Sequence, residues 1–246
     1  MSQNLNCNNN IQENNFAIFI QNLVKTYDNK TFPINNISFN IPKGESVAIL
    51  GKNGAGKTTL INIIASIIKK TSGTVKICNF DIDQDTISAK QQIGIMTQEP
   101  YLDVFLKLGD YIKTYASYYG LKLSEEQVHK SLDTVGLLKN INNKPRELSG
   151  GMKRRFSLAK CMIHNPQILM LDEPTAAVDI DLSKNIISAL LEQKKQGKNI
   201  ILTTHHFHEV EQLCDRVIVI DNGVIQLDGL VHDILPKIKN GFNFLN

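Results

Sequence analysis

A chain of 246 residues can bury a full core, so one large α/β domain or one domain with a subdomain fits. A formal net charge of +3 leaves no strong bias toward a polyanionic partner. The four cysteines, Cys7, Cys78, Cys161 and Cys214, lie far apart with no C-x-x-C pair. That spacing argues against a zinc site or a disulfide framework and suits a reducing compartment.

The first fifteen residues are rich in asparagine and lack the basic and apolar blocks of a signal peptide, so they read as a disordered tail. No apolar run approaches the roughly 18 residues of a spanning helix. If the protein works at a membrane, something else must anchor it.

Phe16 to Ile20 reads as a first strand. Ile34 to Ile41 reads as a second, closed by a turn at Pro42-Lys43-Gly44-Glu45. Ser46 to Leu50 is a short apolar run of buried-strand type. It leads into Gly51-Lys52-Asn53-Gly54-Ala55-Gly56-Lys57-Thr58, and Thr59 to Ala65 then reads as a helix. A G-x-x-x-x-G-K-[ST] match carries meaning only in this strand–loop–helix setting. Its glycines let successive N–H groups converge, and the helix adds its positive N-terminal end to the same spot. Lys57 can reach β- and γ-phosphates, and Thr58 can place a hydroxyl on Mg²⁺. The competing reading, a glycine-rich turn with a surface lysine, does not explain the setting. A nucleoside triphosphate is the expected ligand.

Gly73 to Ile77 and Ile93 to Met96 read as further short strands. After Gln98-Glu99-Pro100 the texture changes. Leu108, Tyr111, Ile112, Tyr115, Tyr118 and Tyr119 recur at helical spacing, and core packing explains them better than base stacking. Ser124-Glu125-Glu126-Gln127 has the capping-box pattern and opens a helix carrying Val128, Leu132 and Val135. Residues 99–165 therefore read as a helical insert in a core formed by 16–98 and 166–246.

Leu148-Ser149-Gly150-Gly151-Met152 precedes a helix over Lys153 to Ile163. Free N–H groups at that helix start make a second anion site, unless Ser149 only caps the helix. Lys153-Arg154-Arg155 reads as a solvated basic face. Gln167 to Leu171 is an apolar strand, followed by the carboxylates Asp172 and Glu173. Functional groups belong at the C-terminal edge of such a buried parallel strand. Asp172 there can hold Mg²⁺, and Glu173 can orient or deprotonate a water.

A helix over Asp181 to Gln193, a strand over Asn199 to Thr203 and a short helix near Glu209 to Leu213 follow. Val217 to Ile220 and Val224 to Leu227 flank Asp221-Asn222-Gly223, a hairpin turn. The alternation predicts an α/β fold with a mostly parallel, helix-covered sheet. His205-His206-Phe207-His208 lacks a cysteine or third histidine at metal-ligand spacing, so a metal reading is set aside.

Together these motifs resemble the ATP-binding subunit of an ABC transporter, from about residue 16 to about residue 230. Gly51 to Thr58 resembles the Walker A motif, Leu148 to Gly151 the LSGG signature, and Ile168 to Glu173 the Walker B motif. The resemblance places Tyr27 where an aromatic ring stacks on adenine, and Gln98 at the Q-loop. It places Asp179 at the D-loop and His205 at the switch histidine; His206 competes for that last role, and strand register favours His205. It implies a P-loop core with an N-terminal antiparallel β part and the helical insert. ATP would be held by Tyr27, by the loop from Gly51 through Thr59, by Asp172, and by Ser149, Gly150, Gly151 and Asp179. Mg²⁺ would take Thr58, Gln98 and Asp172. Lys57, Gln98, Glu173 and His205 would carry catalysis.

Met152, Lys153-Arg154-Arg155 and Thr175 to Asp179 are similar to the ABC-2-type exporter subgroup, although Ala177 stands where that subgroup commonly has glycine. The resemblance implies a head-to-tail dimer of ATPase subunits, a separate membrane permease at the cytoplasmic face docking near Glu99 to Leu106, and no nucleic acid. The alternatives are a soluble relative acting on DNA or ribosomes, whose coiled-coil insertion or second ATPase domain is absent here, and an unrelated P-loop kinase or GTPase.

Overall fold

The computed structural model describes residues 15–28, 30–97, 102, 105–176 and 180–239. Among them two sheets form. The smaller is antiparallel, in the order β2-β1-β4-β5, from β1 (Phe16–Lys25), β2 (Ile34–Pro42), β4 (Ser72–Ile77) and β5 (Phe80–Asp81). The larger runs β10-β9-β3-β8-β7-β6, from β3 (Val47–Leu50), β6 (Ile93–Met96), β7 (Ile168–Asp172), β8 (Asn199–Thr203), β9 (Arg216–Asp221) and β10 (Val224–Leu230). Every pairing in it is parallel except β9 with β10.

The near-continuous apolar strands of the larger sheet are explained by burial on both faces. Val47, Ile49, Ile168, Met170, Ile201, Ile218 and Ile220 pack toward the smaller sheet and α1 (Lys57–Ile64). Their neighbours Ala48, Leu50, Leu169, Leu171, Ile200, Leu202, Val217 and Val219 pack on the opposite side. That second cluster also takes Leu108 and Ile112 of α3 (Leu108–Ser117), Val128 and Leu132 of α4 (Glu125–Thr134), and Phe156 of α5 (Gly150–Met162). The helices between β6 and β7 thus share one apolar core with the sheet. Ser124 caps α4 in a full capping box with Gln127, as its sequence predicts.

Several expectations need correction. α2 (Thr86–Gln91), β5 and α8 (Val231–Lys239) were not anticipated. α8 follows β10 without an intervening turn and carries Pro236 internally, which hides it from capping and breaker rules. It forms because Ile234, Leu235 and Ile238 bury against the sheet. In α3 the buried residues are Leu108, Gly109, Ile112 and Ala116. The tyrosines are not one core stripe: Tyr111 lies edge-on to Phe156, Tyr119 stacks on His164, and Tyr118 is exposed. The helix after the signature starts at Gly150 rather than Lys153. Of the expected tail, residues 1–14 lie outside the described residues, and the Asn15 carbonyl accepts from the Lys43 N–H at 3.2 Å.

Candidate functional site

The loop after β3 is shaped by close backbone approaches. A Cβ on Gly51 would stand 2.1 Å from the Ile220 carbonyl oxygen, and one on Gly56 would stand 2.1 Å from that of Pro33. Gly56 also has φ of 108°, so only glycine fits there. The hairpin between β9 and β10 buttresses the loop. The Gly223 N–H donates to the Ala55 carbonyl at 3.1 Å, and the Gly223 carbonyl accepts from Asn35 at 2.8 Å. The hairpin turn is read from sequence, but its grip on the loop is not.

Helix α1 has no side-chain N-cap and no acidic residue in its first turn. Its free N–H groups and positive end therefore face the loop, a ready anion site. The Lys57 ammonium donates to the carbonyls of Gly51 at 2.6 Å and Lys52 at 2.9 Å. Burial pushes the Lys57 pKa down, against the pull of Asp172 and Glu173.

The acidic side is assembled by strand register. Asp172 closes β7 and pairs with Thr203 of β8, whose hydroxyl donates to the Asp172 carboxylate. Glu173 has φ of 52°, a costly conformation for a non-glycine residue. Its N–H donates to the Thr203 carbonyl at 2.9 Å, and its own carbonyl accepts from Ala176 at 3.2 Å and from Arg154. Arg154 also donates to the Asp172 carbonyl at 3.1 Å. The Glu173 carboxylate is buried and stands 3.4 Å from the Nε2 of His205, which is half-exposed. Burial pushes the Glu173 pKa up; His205 opposes the rise, while Asp172 and Glu209 add to it.

A cavity of about 300 Å³ brings Asn53, Gly54, Gly56, Lys57, Thr58 and Thr59 together with Asp172, Glu173 and His205. All lie at the C-terminal ends of β3, β7 and β8, where a parallel sheet offers its ligand crevice. Gly51, Lys52 and Ala55 complete the loop behind them. Of the two adjacent histidines, His205 faces Glu173, and His206 lines a different cavity. The hydroxyl of Thr58 and the carboxylate of Asp172 are hard oxygen donors in one cavity, which fits Mg²⁺.

Other expected site residues stand elsewhere. Tyr27 is 65% exposed, with the Lys25 ammonium 4.5 Å from its ring centre. Ser149, Gly150 and Gly151 open α5 outside the cavity, and the Ser149 hydroxyl caps that helix by accepting from Met152 at 3.3 Å. Gln98 and Asp179, like Ala177, lie outside the described residues.

The solvated basic face expected at Lys153-Arg154-Arg155 is a correction. Arg154 turns inward to the Asp172 and Glu173 carbonyls, and Arg155 donates to the carbonyls of Val135 at 2.9 Å and Gly136 at 3.1 Å.

The family model described as ABC transporter matches residues 34–176. The linearmycin resistance ATP-binding protein LnrL of Bacillus subtilis (strain 168) is 35% identical over 220 residues, which cover 89% of this chain and 70% of that protein. A Nod factor export ATP-binding protein I of Rhizobium etli is 33% identical over 224 residues, covering 90% of this chain and 71% of its own. Among solved structures, a dimeric ATP-binding cassette in a post-hydrolysis state with ADP and phosphate matches with a TM-score of 0.80 at 27% identity. That match covers 87% of this chain and 98% of the cassette.

Proposed function

This chain belongs to the ABC transporter family as an ATP-binding, ATP-hydrolysing subunit, and we propose that it drives an ABC-2-type exporter. The observation that carries the reading is one cavity shared by Lys57, Asp172, Glu173 and His205. Lys57 and the N–H groups of α1 hold the β- and γ-phosphates. Thr58 and Asp172 would hold Mg²⁺, with Gln98, and the ion would supply charge neutralisation for the phosphates. Glu173 orients a water on the γ-phosphorus and takes its proton as the bond to the β–γ bridging oxygen breaks. The raised Glu173 pKa suits that base role. His205, beside Glu173 in the same cavity, positions the γ-phosphate. Catalysis here is positioning and charge stabilisation.

Tyr27 is exposed and would stack on adenine. Ser149 and Gly150 are exposed, with Gly151 beside them at the start of α5, and they would complete the site of a second copy in a head-to-tail dimer. Asp179 would lie at that dimer contact. ATP closes the dimer and hydrolysis reopens it. The dimeric cassette among the solved relatives supports dimerisation.

Export is supported by Met152, by Thr175 and Ala176, and by the name of the export protein at 33% identity. Among the described residues no helix is long and apolar enough to cross a membrane. A separate permease would hold the chain at the cytoplasmic face, docking near Leu102 and Phe105; Phe105 is 73% exposed.

Glu173→Gln in the full chain tests the core of this reading. ATP binding persists and turnover falls by about a thousandfold, the scale of losing a group that acts only in the transition state. Turnover at the wild-type rate would remove Glu173 from the reaction. Co-purification of a polytopic protein from native membranes in mild detergent tests the transport role, and recovery of the chain alone would count against it.

A further inference from the structure

Glu209 is a buried carboxylate to which the hydrolytic scheme gives no task. It lies in the first turn of α7 (Phe207–Leu213) and is 3% exposed. One carboxylate oxygen accepts from the hydroxyl of Thr175, itself 6% exposed; the other is buried with no hydrogen-bond partner among the described residues. Burying a carboxylate so sparsely satisfied is costly. It is not needed to dock α7, because Val210 and Leu213 are fully buried in the core.

The two ends of this bond lead to the two sides of the reactive pair. Thr175 lies just past Glu173, in the turn closed by the Ala176 N–H on the Glu173 carbonyl. Glu209 donates its N–H to the His206 carbonyl at 3.0 Å, and His206 donates its own to the Thr204 hydroxyl at 3.0 Å. His205 is held between those two residues. The contacts close a ring: Glu173 through Pro174 to Thr175, across to Glu209, back through His206 to His205, and across 3.4 Å to Glu173. Apolar packing would set the separation of turn and helix; a hydrogen bond between buried partners also sets their rotation.

Resting on the hydrolytic reading above, we infer that Thr175 and Glu209 are positioning residues that hold Glu173 in register with His205 for attack on ATP. Both line a cavity separate from the one that holds Lys57, Asp172, Glu173 and His205.

The test measures kcat, ATP affinity and melting temperature on the full chain carrying Thr175→Val, Thr175→Ser or Glu209→Asp. Thr175→Val keeps the shape and removes the hydroxyl. It lowers kcat by about 10- to 100-fold, the cost of a sub-ångström to 1 Å misplacement, while ATP affinity stays within about threefold. Thr175→Ser restores the hydroxyl and kcat to within about threefold. Glu209→Asp draws the acceptor back by a methylene and lowers kcat as Thr175→Val does; it reads the same point if Thr175→Val does not fold.

A kcat unchanged in Thr175→Val or Glu209→Asp, a Thr175→Ser variant as slow as the valine, or a parallel loss of ATP affinity would overturn the inference. Wild type and Glu173→Gln are measured alongside. If wild type does not hydrolyse ATP, the hydrolytic reading fails and this one with it. If those two behave as expected and Thr175→Val turns over normally, the positioning role alone fails.

Discussion

The two sides of the cavity are built differently. The phosphate side is almost local: one strand end, one loop and one helix start supply Asn53 through Thr59, with the backbone as the main donor. The acidic side is gathered from distant segments. Asp172 ends β7 and Glu173 follows it, Thr203 ends β8 and His205 lies two residues on, and Arg154 comes from α5. The first side needs only glycines and a helix end; the second needs strands in register and a cation on the right carbonyls. Changes on the local side should therefore cost binding, and changes on the assembled side should cost turnover.

The largest effect that sharpens this contrast is Lys57→Ala. It removes a partly buried cation from the anion cradle. ATP affinity falls by about a hundredfold or more, as expected for losing a charge-assisted contact to phosphate worth about 3 kcal/mol. A fluorescent-nucleotide titration measures it, and unchanged affinity would contradict the phosphate-loop assignment. The fold survives, because among the described residues Lys57 donates only to its own loop carbonyls.

Arg154→Met breaks the comparison from the other side. It leaves α5 intact and removes the donor to the Asp172 and Glu173 carbonyls. Arg154 is half-buried, so water replaces part of what is lost. Stability drops by about 1–2 kcal/mol, or about 2–4 °C of melting temperature per kcal/mol. Turnover falls by about tenfold with ATP affinity within about threefold, because the lost bonds orient Glu173 rather than phosphate. Loss of affinity equal to the loss of turnover would place Arg154 on the binding side instead.

The same contrast explains what was legible in the sequence. Gly51 to Thr58 could be read without tertiary information, because a phosphate loop is a backbone conformation that its own glycines specify. The strands β3, β7, β8 and β9 could be read from their apolar runs, and the mostly parallel sheet from the alternation of strands with helices. Arg154, Thr175 and Glu209 could not be read that way. An arginine in a basic run looks solvated until a strand end lies one helix-width away. A glutamate at the start of a short helix looks like dipole compensation until Thr175 meets it from the turn after β7. Gly223 announced a turn but not that its N–H holds Ala55. In each case the missing information is a long-range backbone or side-chain contact, which local periodicity does not encode. α8 was hidden for a related reason: its helix is specified by what Ile234, Leu235 and Ile238 bury against.

The smallest expected effect concerns the stability cost of the assembled side. Burial raises the Glu173 pKa in the folded chain above its unfolded value of about 4.5. Between the unfolded and the raised folded pKa the native state binds more protons than the unfolded one. Stability from this group is therefore full below about pH 4.5 and is lost as pH rises through the folded value. Glutamine has no such proton to lose. Glu173→Gln should then melt higher than wild type at pH 7–8. The gain should shrink toward zero as pH is lowered to about 4.5. Melting curves of the two proteins across that range, without nucleotide, measure it. A gain independent of pH would mean that Glu173 is held by strain at its φ of 52° and not by the cost of its buried charge. A loss at neutral pH would mean that the charge attracted by His205 outweighs its desolvation.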